Sequence, residues 1–270
     1  MKTVDTHAHI FSTQEQPLVE DARYRPAADA TLADYLAHLD HHGFDYGVLV
    51  QPSFLGFDNS QMLAGIAQHP QRLKGIAVVP MDIDTSELQA LADQGIVGAR
   101  LNLFGKPIPN LKEAGWQAFL DRLGEQRWQL ELHCPPSYLR VLLPALENYA
   151  GPVVIDHFGR VDPNKGTQDP DYLAVLAMLD PARHYVKVSG YYRLGEDEHA
   201  RHHAQEALRM LLGKGMGSRL IWGSDWPHTQ HSDHVHYDAT VRFLDNLVPD
   251  EALRMRILGE NALTLYGFKP

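Results

Sequence analysis

The sequence predicts an α/β fold, a (β/α)8 barrel of the TIM type built as one domain over residues 1–270. Three observations carry this. Eight short β-branched or apolar runs alternate with longer segments of helical period. The length suits eight strand-helix units better than an open doubly wound sheet. Polar side chains also stand just past the carboxyl end of most runs, where such a barrel carries its chemistry.

The runs are Thr3–Asp5, Tyr46–Val50, Gly75–Val79, Val97–Leu101, Trp128–Leu132, Pro152–Ile155, Tyr185–Val188 and Arg219–Trp222. Helical spacing predicts helices over Leu32–His42, Asn59–His69, Ser86–Gln94, Lys112–Gln126, Tyr138–Asn148, Pro170–Leu179, His199–Lys214, Tyr237–Leu247 and Asp250–Leu258. Gly43, Gly95 and Gly151 stand where helix-ending glycines are expected. Ser12–Thr31 and Gly159–Gln168 read as long loops on one rim. No repeat, low-complexity tract or linker interrupts the pattern.

Charge and cysteine content narrow the function classes. With 24 Lys and Arg against 34 Asp and Glu, the net charge of −10 disfavours nucleic acid and anionic membrane surfaces as partners, leaving small molecules. Cys134 is the single cysteine, so neither an internal disulfide nor a thiolate zinc cluster can form, and a buried neutral thiol is expected. The start reaches Asp5, His7 and His9 too soon for a secretory signal, and no apolar run has membrane-spanning length. The expectation is a cytoplasmic protein, monomer or homodimer, with no membrane or nucleic-acid partner.

The strand ends supply a specific set of groups. The first run delivers His7 and His9, two imidazoles whose spacing puts them on one side of a strand. The others deliver Gln51 and Ser53, Arg100 and Asn102, Glu131 and His133, Asp156, His157 and Arg160, Ser189, Tyr191 and Arg193, and Asp225 and His228. Strict alternation groups His157 with Val153 and Ile155, Asp225 with Ile221 and Gly223, and His133 with Glu131. Four histidines and an aspartate can thus converge, and imidazoles with a carboxylate are donors for Zn²⁺ or a similar divalent ion. The structural alternative for His133 is a buried ring satisfied by hydrogen bonds. For Asp225 it is a buried acid with a cationic partner.

These residues fall in an ordered set of motifs. Val-Asp-Thr-His-Ala-His-Ile-Phe at 4–11, Asp-His-Phe-Gly-Arg at 156–160, Lys-Val-Ser-Gly at 187–190, Trp-Gly-Ser-Asp-Trp-Pro-His at 222–228 and Gly-Glu-Asn-Ala-Leu-Thr-Leu-Tyr-Gly-Phe at 259–268 together resemble the amidohydrolase superfamily. Within it, the set is similar to the 2-pyrone-4,6-dicarboxylate lactonases and related sugar-acid lactonases. The resemblance implies a distorted (β/α)8 barrel with a hydrolytic water at its carboxyl mouth, and His7, His9, His157 and Asp225 as active-site positions. It implies carboxylate-holding roles for Ser53, Arg100, Arg160 and Arg193. Those lactonases work without a metal and lack a strand-five histidine, whereas His133 here restores the ligand pattern of zinc-binding members. The metal set expected is therefore His7, His9, His133 and Asp225 around one divalent ion, Zn²⁺ first, with metal-independent catalysis as the alternative.

Arg100, Lys106, Arg160 and Arg193 at or past strand ends, with Ser53 and Tyr191, suit a two-pronged clasp on a substrate carboxylate. The mechanism expected is that Asp225 takes a proton from water and hydroxide attacks a lactone carbonyl, with His157 or His133 steadying the oxyanion. The substrate is a small anionic lactone, 2-pyrone-4,6-dicarboxylate or a relative. A sugar-acid lactonase, a metal-dependent decarboxylase and a binder without turnover are the competing readings. The loop carrying His228, His231, His234 and His236 is expected to be a solvated lid, the tryptophans to be packing residues, and Trp226 to line the mouth.

Overall fold

The computed structural model describes all 270 residues. Eight parallel strands follow one another around the sheet in sequence order: β1 (Val4–Ala8), β2 (Tyr46–Val50), β3 (Leu73–Ala77), β4 (Ile96–Asn102), β5 (Gln129–His133), β6 (Val153–Ile155), β7 (His184–Lys187) and β8 (Leu220–Ile221). The short β8 closes against β1 by main-chain hydrogen bonds: Thr6 N donates to Trp222 O at 3.0 Å, Asp225 N to His7 O at 2.8 Å and His9 N to Trp226 O at 2.8 Å. Closure leaves no strand edge. The short eighth strand is the barrel's distortion.

Helices wrap the outside: α1 (Leu32–His42), α2 (Ser60–Gln68), α3 (Thr85–Asp93), α4 (Ala114–Glu125), α5 (Pro136–Ala145), α6 (Pro170–Met178), α7 (Asp197–Gly213) and α8 (Tyr237–Leu247). Their ends follow local chemistry. Thr31 caps α1 by accepting from Asp34 N, and Asp84 and Glu87 form a reciprocal capping box on α3. Gly43 ends α1 with φ 72°. Gly151 has another role than the predicted helix stop: it passes so close to Trp128 O that a Cβ would lie 2.1 Å away, which only glycine allows.

After α9 (Glu251–Met255), the predicted last helix passes through a π-helical turn at Arg256–Glu260 into α10 (Asn261–Tyr266), which the spacing did not show. The turn accommodates Gly259, where a Cβ would meet Lys2 O at 2.7 Å. Ala262, Leu263 and Tyr266 of α10 join Val4, Val48, Ile76, Val154 and Ile221 in a separate apolar cluster inside the barrel. This plug fills the end opposite the mouth. No helix is long and apolar enough to cross a membrane.

Candidate active site

Above that plug the barrel interior turns from apolar to charged. Lys187 on β7, fully buried, lies against Glu131 on β5, and its Nζ is 3.4 Å from Asp156 Oδ1 and 2.9 Å from His7 Nδ1. Arg100 on β4 donates from Nη2 to Asp156 Oδ2 at 2.7 Å and sits 3.2 Å from Glu131 Oε1. The β4–β5 register, which sets Arg100 beside Glu131, makes this pairing unavoidable. Two cations thus face two carboxylates in a medium where an unpaired charge would be very costly. Burial and the neighbouring Asp156 push Glu131 up. For Asp156, burial works in the same direction, but Lys187 and Arg100 outweigh it and hold the acid down.

This arrangement fixes the proton on His7. An ammonium has no lone pair, so Lys187 donates to Nδ1 and the ring's own proton sits on Nε2. His9 is set the other way: its Nδ1 is 2.7 Å from Val50 O, a pure acceptor, so Nδ1 carries the proton and Nε2 is left accepting. The two rings lie edge to face with centroids 4.9 Å apart. Both reach the interior because β1 slips one residue against β2 between Asp5 and Ala8, which changes parity so that Val4 and His7 point inward alike.

The other two groups arrive through unusual backbone. Val153 and Ile155 face the helices and Asp156 faces the interior, so alternation alone would turn His157 away. Left-handed dihedrals at His157 (φ 49°) and Phe158 (φ 56°) swing the ring back over the mouth. Asp225 likewise has φ 60°. Such strain in non-glycine residues clusters at functional sites. Gly190 leaves the room required, since a Cβ there would stand 2.8 Å from His157 Nδ1.

Asp225 divides its two oxygens. Oδ2 accepts from Arg193 Nε at 2.6 Å and from Tyr192 OH at 2.7 Å. Oδ1 has no hydrogen-bond partner, nor has His7 Nε2, though both are buried. Around Oδ1 stand His9 Nε2 at 3.7 Å, His7 Nε2 at 3.8 Å and His157 Nε2 at 4.0 Å. Burial works against the charge on Asp225, yet Arg193 and His157 keep its carboxyl well below the ordinary range, so it is ionised. Burial holds His157 at about 3 and His7 well below its usual value, so both rings are neutral near pH 7.

The space between these atoms suits a polar guest. Tetrahedral coordination at 2.0–2.1 Å puts neighbouring ligands about 3.4 Å apart, close to these separations. His7, His157 and Asp225 lie within 4.8 Å of one another and could hold a metal. The donor set therefore fits an ion by distance. An ion would additionally require His7 to release the Nε2 proton that Lys187 places there.

The predicted metal ligand His133 stands apart from that group. Its Nδ1 lies 3.2 Å from Asn102 Oδ1 and its Nε2 3.5 Å from Arg160 Nη1, so both nitrogens are engaged and the ring braces Arg160. Burial, with Arg193 next among the charges, lowers Arg160 to about 9. Arg160 and Arg193 line a cavity of about 290 Å³ over the site, together with His133, Phe104, Tyr192 and His231.

The other predicted residues divide between those that depart from expectation and those that stand where expected. Arg100, expected on substrate, is buried under the site in the ion cluster. Tyr191 turns outward and stacks on Phe243 with centroids 3.9 Å apart, and its neighbour Tyr192 is the tyrosine that meets Asp225. Lys106 is exposed on a loop beyond β4. Ser53 is half-buried in a turn just past β2. In the supposed lid, His228 is buried against Tyr192 OH, 3.1 Å from Nδ1, whereas His234 and His236 are exposed. Trp226 stacks on Tyr35 of α1 rather than lining the mouth. Cys134 is buried, its thiol pushed up to about 12 by burial.

Sequence reasoning missed Lys187, Tyr192 and Arg23, the last of which lines the same cavity from the loop between β1 and α1. The first left a signal: a lysine inside a buried strand needs a carboxylate partner across the barrel. Asp5 is a further buried acid, accepting from Ser224 N at 2.8 Å, Ser224 Oγ at 2.7 Å and Tyr237 OH at 2.9 Å, which ties β1 to the segment after β8.

Known proteins bear on this geometry. A 4-sulfomuconolactone hydrolase of Hydrogenophaga intermedia is 30% identical over 97% of this chain and 88% of its own. A 2-pyrone-4,6-dicarboxylate hydrolase of Comamonas testosteroni is 29% identical over 97% and 89%. Among solved structures, a "probable 2-pyrone-4,6-dicarboxylic acid hydrolase" from Acinetobacter baumannii with citric acid bound superposes with a TM-score of 0.98, at 50% identity over 99% of this chain and 100% of that one. The amidohydrolase family profile matches residues 4–268, from the first strand to the C-terminal plug, and the chain belongs to the amidohydrolase family.

Proposed function

We propose that this protein hydrolyses the cyclic ester of a small carboxylated lactone, 2-pyrone-4,6-dicarboxylate or a similar anion, using water held between His7, His9, His157 and Asp225. The observation that carries the reading is the unpartnered pair Asp225 Oδ1 and His7 Nε2 among those imidazoles, beneath a cavity lined by arginines. Water matches that pattern, because it accepts from His7 Nε2–H while donating to Asp225 Oδ1 and to His9 Nε2. Relatives named for pyrone and muconolactone hydrolysis, and one crystallised with a tricarboxylate, support an anionic lactone.

In the reaction the water oxygen bonds to the lactone carbonyl carbon and its proton goes to Asp225 Oδ1. The carbonyl oxygen gains charge and is met by an imidazole N–H, from His7 or His157. The bond to the ring oxygen then breaks and its electron pair leaves on that oxygen. Asp225, held strongly acidic by Arg193, is a relay rather than a store, and passes the proton to the departing oxygen. From a pyrone that group is an enolate, which needs little acid assistance. Arg160 and the rest of the Arg193 guanidinium hold the substrate carboxylate.

A second reading has one divalent ion, Zn²⁺ first, held by His7, His157 and Asp225, favoured by their mutual distances. It would supply Lewis-acid polarisation at the same point. The test is acid release from carboxylated pyrones, muconolactones and sugar-acid lactones, followed with a pH indicator on protein of assayed metal content, before and after chelation. Ring opening of a carboxylated pyrone that survives chelation is the expected result. Loss of activity restored by Zn²⁺ favours the second reading, and carbon dioxide release in place of acid overturns both.

A further inference from the structure

Arg23 lies in the long rim loop, ten or more residues from any motif, and its guanidinium has no carboxylate within ion-pair distance. It shares the cavity over the catalytic groups with Arg160 and Arg193. The guanidinium carbons of Arg23 and Arg160 sit 5.7 and 4.3 Å from the centroid of one ring, Phe104, and Arg160 also lacks a carboxylate partner. Glu196 is the one acid on the cavity wall, and it pairs with neither. Clustering like charges in a partly desolvated cavity costs free energy unless an anion enters it.

The loop holds Arg23 there by its neighbour. Tyr24 OH donates to Thr229 Oγ1 at 3.0 Å, and its ring packs edge-on against Phe54 with centroids 5.4 Å apart. Val19 N donates to Phe54 O at 2.9 Å, a second tie of the loop to the segment after β2. Arg23 itself remains solvent-accessible, so a ligand can reach it without displacing protein. A side chain with nothing to do but cover Phe104 would not require a charge.

We propose that Arg23 is a specificity-determining residue that binds a second carboxylate of the substrate at the rim, while Arg160 and Arg193 take the first near the reacting carbonyl. This rests on the lactonase reading above. It adds that recognition comes partly from outside the barrel strands, on a loop. The step from mono- to dicarboxylated lactones is therefore read by Arg23, and the carboxylate common to both by Arg160 and Arg193.

The experiment compares wild type, Arg23→Met and Arg23→Lys on a dicarboxylated 2-pyrone and its monocarboxylated analogue, with thermal melting of each protein. Loss of one charge-assisted contact should raise KM for the dicarboxylate about tenfold or more in Arg23→Met, with kcat nearly unchanged and partial rescue by Arg23→Lys. KM for the monocarboxylate should be unaffected. Equal losses on both substrates, or no change on either, overturns the proposal. Calorimetric titration of citrate into wild type and Arg23→Met needs no turnover. Weaker citrate binding by the variant supports the anion contact even if no lactone is hydrolysed, and equal binding overturns it.

Discussion

Asp225 concentrates the chemistry of the site in the difference between its two oxygens. Oδ2 is saturated by Arg193 and Tyr192, which fix the carboxylate and keep it ionised, while Oδ1 is left for a guest. Asp225→Asn keeps the shape but puts a neutral amide where the proposed reaction delivers a proton. We expect kcat to fall by at least about 100-fold with the fold retained, checked by steady-state turnover beside a circular-dichroism melt. Near-normal turnover would remove Asp225 from the mechanism. His133 shows how a residue of suitable type is assigned by its partners: with Asn102 on one nitrogen and Arg160 on the other, it braces Arg160.

At the level of elements, the seam between β1 and β8 aligns the site. Gly223 crosses β1 so closely that a Cβ would lie 2.5 Å from His7 Cβ and 2.6 Å from His7 N. Gly223→Ala must therefore push β1 away, together with the ring that β1 carries. We expect a loss of about 1–3 kcal/mol in urea unfolding and a fall in kcat larger than the stability change alone explains. An alanine variant of native stability and activity would show the seam to be pliable. The strands were legible to within a few residues because apolar runs and turn residues are local signals. The slip in β1 and the left-handed turn at His157 were not, since each is imposed by neighbours distant in sequence.

Over the whole molecule, a chain of net charge −10 gathers Arg23, Arg160 and Arg193 around one mouth, a contrast that would favour the small anion of the proposed reaction. The neutral histidines also give stability a pH dependence. Burial lowers His157 and His228 to about 3 each, whereas an unfolded imidazole titrates near ~6.5. Above that value neither state binds the proton and stability is full. As pH falls below it, the unfolded chain takes protons that the folded chain refuses, and stability drops by up to about 1.4 kcal/mol per pH unit for each ring. Urea midpoints should therefore fall steadily from about pH 6.5 to about pH 4, and a flat profile would contradict buried neutral imidazoles. The sequence by itself determined the eight-unit barrel, its polar mouth and the position of His7, His9, His157 and Asp225 at strand ends, because periodicity and strand-end position are properties of local chain. The inward turn of those side chains came instead from the β1 slip and the left-handed backbone at His157 and Asp225. Only the tertiary structure decided which nitrogen of His7 carries its proton, that Arg100 lies beneath the site and that Arg23 lies above it. Those depend on which side chains meet across the barrel, and no spacing along the chain encodes that.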